Sequence, residues 1–111
     1  MSQTSNIESQ IRKGVLEYCI LSVIDGEKAY ASDIIEKLKE AELIVVEGTL
    51  YPLLTRLKKA ELLSYRWEES RQGPPRKYYY LTSKGEAFRS DLQNYWEKLV
   101  KSVEVITSKN K

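Results

Sequence analysis

The last quarter of the chain carries a stripe of large apolar side chains that is too long for a domain of this size to cover. Between residues 88 and 106 they recur at intervals of four, three, four, four and three, the spacing of one helix face. A near-heptad stripe in a 111-residue chain is best covered by a second copy, because little other core is available. We therefore predict a homodimer whose interface contains Phe88, Leu92, Tyr95, Leu99, Val103 and Ile106.

The beginning of this helix is also marked in the sequence. Thr82-Ser83 supplies an N-cap, and Glu86 stands where a capping box has its acidic member. We predict that the helix continues to about residue 106. The chain is thus divided into a domain over residues 1–82 and a C-terminal dimerisation helix over residues 83–111.

Composition excludes several classes of protein. Apolar residues make up 41% of the chain and charged residues 31%, which is ordinary for a globular domain. The first ten residues lack the pattern of a signal peptide. The most apolar stretch, residues 18–24, is much shorter than the ~20 residues that a membrane helix needs. We expect a cytoplasmic protein.

No catalytic residue, metal site or cofactor is predicted. The chain has one cysteine and no histidine, so the usual transition-metal ligands and the commonest general base are scarce or absent. Cys19 lies in an apolar helix without a neighbouring cation, which favours a buried, unreactive thiol over a redox sensor. Glu68 and Glu69 are expected on an exposed hairpin where nothing shifts their pKa, so we predict that the chain is not an enzyme.

Charge is unevenly distributed along the chain. The net charge is only +2, but residues 47–80 contain seven Lys or Arg against four Asp or Glu. Residues 1–46 contain five basic and eight acidic residues. A basic middle after an acidic beginning predicts a focused binding face for an anion.

Two helices are predicted before the basic segment. The first covers residues 8–24, ends at Asp25-Gly26, and has an apolar face made of Ile11, Val15, Tyr18 or Cys19, and Ile24. The second covers residues 32–42 with Ser32 as its N-cap and a buried stripe of Ile34, Ile35 and Leu38. Residues 43–46 are expected to form either a turn or one strand.

The basic segment opens with a third predicted helix over residues 47–60. One face consists of Leu50, Leu53, Leu54 and Leu57. The helix begins without a good cap at Val46, and Pro52 within it is unfavourable but less costly near the first turns, where fewer amide donors have helical partners. The opposite face carries Gly48, Pro52, Thr55, Arg56 and Lys59, with Thr49 and Tyr51 at its flanks.

A hairpin is predicted to follow this helix. Its strands cover residues 62–68 and 76–81, and its tip covers residues 69–75, which are rich in Gly and Pro. The tyrosines at 78–80 are expected to serve sheet packing rather than stacking on single-stranded bases, because alternate side chains face opposite ways.

Three helices followed by a basic hairpin give the order of a winged helix, so we predict an α+β fold, mostly helical, with a two-stranded wing. In this arrangement the third helix enters the major groove of duplex DNA and the wing contacts a neighbouring phosphate row or minor groove. The predicted DNA-contacting residues are Gly48, Thr49, Tyr51, Pro52, Thr55, Arg56, Lys59, Arg71, Arg76 and Lys77.

Two sequence blocks carry a resemblance to a known family. Residues 48–57 read GTLYPLLTRL, and residues 73–85 read GPPRKYYYLTSKG. At this separation the two blocks resemble the PadR family of transcriptional regulators, over roughly residues 8–106. The short chain is similar to the compact subfamily that includes multidrug-sensing repressors. The resemblance implies a homodimer on an inverted repeat, near its own or a transporter promoter, with release controlled by a ligand.

The chain departs from the family pattern in three places. Ala29-Tyr30-Ala31 stands where the family often has Tyr-Gly-Tyr, and Val46 replaces a small polar cap. Pro74 stands where an arginine often precedes the Pro-Arg of the wing, so one wing cation is lost.

The same resemblance suggests a small-molecule site. In the multidrug-sensing relatives a tryptophan at the place of Trp96 stacks on planar drugs between protomers, which makes Trp96 the candidate ligand-binding residue, with Val15 and Glu8 of the first helix as weaker candidates. The alternative is that Trp96 only packs the dimer interface. A planar aromatic effector is therefore one expectation. A winged-helix module that binds proteins and never DNA is the main rival function.

Overall fold

The computed structural model describes residues 3–26, 28–43 and 45–108. Within these ranges the chain forms four helices and three strands, in the order α1 (Gln3–Ile24), β1 (Ala29–Tyr30), α2 (Ala31–Glu40), α3 (Glu47–Lys59), β2 (Leu63–Ser70), β3 (Gly73–Leu81) and α4 (Ser83–Thr107). This order confirms the predicted fold class of a mostly helical α+β chain with a two-stranded wing and a long last helix.

One face of α1 contributes to the core, and it includes only part of the predicted face: Ile24 is buried as predicted, whereas Ile11 and Val15 are not. Ile11 is 61% exposed and Val15 is half-buried. Every buried residue of α1 lies at position 16 or later, because α1 begins at Gln3 and its first half extends past the core. The buried residues of α1 are Leu16, Ile20, Leu21 and Ile24.

Helix α2 begins one residue earlier than predicted. Its N-cap is Tyr30, whose backbone N–H donates to the Asp33 carboxylate at 3.0 Å. Ser32 therefore lies inside the first turn and is not the cap. Of the predicted stripe, Ile34 and Leu38 are buried and Ile35 is half-buried.

Helix α3 has the predicted leucine face, which fixes the direction of its other side. Leu50, Leu54 and Leu57 are at most 2% exposed, and Leu53 is partly buried against the same core. The helix begins after Val46 without a side-chain cap and contains Pro52. Its start thus depends on the buried leucines, since burial of one leucine side chain stabilises by about 1.5–3 kcal/mol.

The helices α2 and α3 are each followed by a residue in the left-handed region. Glu42 has a φ of 64° and Glu61 a φ of 66°. Glycine is the usual residue in this conformation, which costs other L-residues roughly 1–2 kcal/mol. The segment between α2 and α3 forms no strand at its described residues 43, 45 and 46, so the strand alternative is not found there.

The sheet contains the wing and one additional short strand. Its order is β1-β3-β2, and both pairs are antiparallel. The two long strands confirm the predicted hairpin, but its turn is only Arg71-Gln72, much shorter than the predicted tip over residues 69–75. Strand β1 was not predicted, because two residues are too few for an alternating pattern.

The wing meets α4 at a close backbone crossing. Thr82 caps α4, with its hydroxyl accepting from the Gly85 N–H at 2.9 Å, and its own N–H donates to the Leu62 carbonyl at 3.1 Å. The predicted capping box is therefore wrong, because with Thr82 as the cap the third helical residue is Gly85 and not Glu86. A Cβ at position 85 would lie 1.9 Å from the Leu62 carbonyl oxygen.

The apolar stripe of α4 is largely uncovered in the single protomer. Tyr95 is 61% exposed and Ile106 is 75% exposed, whereas Leu92 is partly buried against the core. Phe88, Leu99 and Val103 lie between these extremes, at 38%, 37% and 50%. None of the helices in the described ranges is long and apolar enough to cross a membrane.

We expect Gly85→Ala to lower the free energy of unfolding by about 1–3 kcal/mol, because the new methyl group meets backbone that cannot turn away. The matched control is Gly14→Ala in α1, where an added Cβ meets nothing within 4 Å. Because alanine is the better helix former, this control is expected to raise stability by about 0.5–1 kcal/mol. Urea denaturation at one fixed protein concentration measures both. Equal effects of the two substitutions would contradict the crossing.

Candidate nucleic-acid interface

The side of α3 opposite its leucines is exposed along its length. Burial of Leu50, Leu54 and Leu57 leaves the intervening positions directed to solvent. A shallow groove on this side is lined by Tyr51, Pro52, Thr55, Arg56 and Lys59. Gly48 and Thr49 are exposed at the beginning of the same helix. All seven candidates on α3 thus lie at the surface of one helix.

Arg56 has a partner that the sequence did not reveal. Its guanidinium forms an ion pair with Glu17 of α1, and its side chain is 65% exposed. A guanidinium has five N–H donors, so this pair leaves donors available to a second anion. The pair also fixes the side chain on the α1 side of the helix, beside a cleft lined by Lys13, Gly14, Leu16, Thr49, Pro52, Leu53 and Arg56.

The three cations of the wing have different surroundings. Arg71 is exposed in the turn. The guanidinium of Arg76 lies 3.7 Å from the ring centroid of Tyr30 and donates to the Ser32 hydroxyl at 3.2 Å. The ammonium of Lys77 lies 4.3 Å from the ring centroid of Tyr65, on the other face of the sheet. The faces of the Tyr30 and Tyr65 rings attract the cations of Arg76 and Lys77 and help to hold them in position.

Glu68 ties the wing to the beginning of α2 and corrects the prediction that nothing shifts its pKa. Its carboxylate reaches from β2 across β3, where it accepts hydrogen bonds from the Lys28 ammonium and the Tyr30 hydroxyl, both at 2.5 Å. The bond from Lys28, then that from Tyr30, lowers the pKa of Glu68. The same bonds to Glu68 raise the pKa of Lys28 and of Tyr30. Sequence separation of about forty residues hid this cluster.

A cleft of about 350 Å³ lies between the wing and the beginnings of α2 and α3. Three of its residues, Tyr51, Arg76 and Lys77, were predicted to bind DNA. Sequence reasoning missed Trp67 and Ser32, although the alternation of Leu63, Tyr65 and Trp67 places the tryptophan on the face that α3 covers. The complete lining is Tyr30, Ala31, Ser32, Glu47, Tyr51, Trp67, Arg76, Lys77 and Tyr79.

The candidate ligand residues are not gathered into any of these three clefts. Trp96 on α4 is 39% exposed, Val15 on α1 is half-buried and Glu8 is exposed. Cys19 is half-buried, and desolvation raises the pKa of its thiol, which disfavours the reactive thiolate.

Comparison with known proteins gives a consistent result. The family model of the transcriptional regulator PadR-like family matches residues 20–91. A PadR-like transcription factor from Bacteroides fragilis is 65% identical, and the match covers 92% of this chain and 99% of that chain, with a TM-score of 0.78. A PadR-family transcriptional regulator from Eggerthella lenta is 28% identical, covers 96% and 94%, and has a TM-score of 0.86.

A third solved structure is Bacillus subtilis PadR in complex with operator DNA. It is 24% identical, covers 71% of this chain and 46% of that chain, and has a TM-score of 0.65, so it shows a common fold. Matches over most of the chain assign it to transcription regulation rather than to catalysis. The resemblance of the two sequence blocks is thereby confirmed, and the chain belongs to the PadR-like family of transcriptional regulators.

Proposed function

We propose that this chain binds duplex DNA as a homodimer and represses transcription of its own gene or of a transporter or detoxification gene. The observation that carries the proposal is that Tyr51 of α3 and two cations of the wing, Arg76 and Lys77, line one open cleft. Tyr51 of α3 lines both this cleft and the groove along α3, so the two surfaces are continuous. Residues 1–82 would bind DNA and residues 83–111 would join the protomers.

The chemistry of this surface matches the DNA backbone. Lys59 and Arg71 are exposed and can neutralise phosphates, while Thr55 can donate to a phosphate or contact a thymine methyl group. In the operator complex of Bacillus subtilis PadR, a protein with this fold is bound to DNA. We infer the same partner here, with two copies of α3 about one DNA turn (~34 Å) apart.

We expect Lys59→Ala to weaken binding to the gene's own upstream duplex by roughly tenfold near 0.1 M salt, because each protomer loses one phosphate contact. The dependence of log Kd on log salt should become shallower by about one per protomer. Fluorescence anisotropy at four or more salt concentrations measures both quantities.

The matched control is Lys101→Ala, which removes the same charge about 27 Å along α4 from its first residue. It should leave both affinity and salt dependence unchanged. If the affinity of the wild-type protein for the duplex did not depend on salt, the protein-binding alternative would be favoured, since a protein-binding module need not release counterions.

The proposed dimer rests on the uncovered stripe of α4. A soluble protomer that leaves Tyr95, Val103 and Ile106 at least 50% exposed on one helix face gains from covering them. A second α4 presents the same heptad-like spacing and is the best-matched cover.

We expect Leu99→Asp to convert the dimer into a monomer, because a carboxylate placed in the interface would be desolvated without a partner. Asn94→Asp is the control, since it adds the same charge on the opposite side of α4, away from the stripe. Sedimentation velocity distinguishes the two. A Leu99→Asp protein that still sediments as a dimer would refute this interface.

We also propose that a planar aromatic molecule binds between protomers beside Trp96, with Val15 and Glu8 of α1 nearby, and releases the DNA. The support is the resemblance to multidrug-sensing relatives, together with the 39% exposure of Trp96 in the protomer. Ethidium, a planar cation, is expected to quench tryptophan emission in Trp67→Phe and not in Trp96→Phe. Equal quenching in both variants would contradict the site.

A further inference from the structure

We infer that Trp67 is a DNA-contacting residue of the wing, with its indole ring packed against the sugar-phosphate backbone of the bound duplex. The inference rests on the proposed function and adds to it a residue that contributes binding without charge. Four observations support it: the exposure of the ring, the face it lies on, the cleft it lines and the cation beside it.

The fold leaves most of the Trp67 ring in water. Trp67 is 64% exposed. Its ring meets Tyr65 edge to face, with centroids 6.4 Å apart and an interplanar angle of 85°. Within the wing the indole therefore contacts Tyr65 and the Lys77 ammonium, and most of its surface stays available.

The exposed ring lies on the α3 side of the sheet. Leu63, Tyr65 and Trp67 alternate along β2 and share one face, and Leu63 is 1% exposed against the core. The strand continues past the core toward the turn, so the face that is buried at Leu63 emerges at Trp67. The indole consequently stands at the mouth of the cleft between the wing and α3.

A cation lies beside the ring at this mouth. Lys77 is the strand partner of Trp67, and its ammonium is 5.6 Å from the ring centroid. Arg76, which extends from the opposite face of β3, and the Ser32 hydroxyl also line this cleft, while Glu47 adds a carboxylate toward the start of α3. An occupant near Lys77 and Arg76 should therefore be anionic and should offer an apolar surface to the indole.

The DNA backbone meets both requirements. Its phosphates pair with Lys77 and Arg76, and the carbon face of the deoxyribose next to them is apolar. The cleft is continuous with the α3 groove through Tyr51, so a duplex on α3 passes the indole without a separate site. This contact does not read base identity, because sugar and phosphate carry no sequence information directly.

The test separates the indole from the charge beside it. Trp67→Ala should weaken binding to specific and unrelated duplexes alike by about tenfold, comparable to the loss of one aromatic contact with nucleic acid. Its salt dependence should equal that of the wild type, because no cation is removed. Lys77→Ala should instead make the salt dependence shallower by about one per protomer. Trp67→Phe, which keeps an aromatic ring, should recover most of the affinity.

A second measurement leaves Trp67 in place. The chain has two tryptophans, so Trp96→Phe makes Trp67 the sole emitter, once its affinity for the duplex has been measured. Addition of duplex should reduce quenching of Trp67 by acrylamide at least twofold. If the wild type binds the duplex with a steep salt dependence but acrylamide quenching of Trp67 is unchanged, this inference is overturned and the proposed function survives. If the wild type shows no salt-dependent binding, the proposed function itself fails.

Discussion

The crossing of Leu62 and Gly85 is the contact on which the relation between the wing and the rest of the protein depends. At this point the Thr82 N–H donates to the carbonyl of Leu62, which directly precedes β2, and the Thr82 hydroxyl accepts from the Gly85 N–H at the beginning of α4. The Thr82 hydroxyl also donates to the Glu61 carbonyl at 2.7 Å, so the turn that follows α3 belongs to the same group of hydrogen bonds. A side chain at position 85 would separate these elements, so the angle between wing and helices follows from the absence of one Cβ.

Two kinds of interaction then shape the candidate DNA-binding surface formed by α3 and the wing. The buried leucines of α3 set which side of that helix faces outward, and they need no polar partner to do so. The wing is anchored in the same core by Leu63 and Tyr79, and polar contacts add to this, among which the Glu68 carboxylate connects β2 to Lys28 and Tyr30 near β1. The apolar core thus determines which side of α3 faces outward, and the ion pair and hydrogen bond of Glu68 help to hold the wing beside it.

The sequence predicted the features that repeat along the chain and missed those that arise from distant contacts. Periodic leucines correctly gave α3, and alternating aromatic residues gave the hairpin. The predicted face of α1 was correct at Ile24 and wrong at Ile11, since periodicity alone cannot say where along the helix the core ends. The roles of Ser32, Glu68 and Arg56 were invisible because their partners Arg76, Lys28 and Glu17 lie about forty residues away. Contacts with DNA, ligand or a second protomer remain predictions.

The left-handed residues after α2 and α3 make the stability of this helix pair depend on the rest of the fold. Glu42 and Glu61 adopt a conformation that their own side chains disfavour, and no glycine relieves it. Burial of Val45 and of Leu62 just beyond these corners supplies the compensating stabilisation. A peptide limited to residues 31–62 would lack the residues of α1 and of the sheet against which Val45 and Leu62 are buried, and with them this compensation. The helix pair is thus a product of the complete fold and not a module that folds alone.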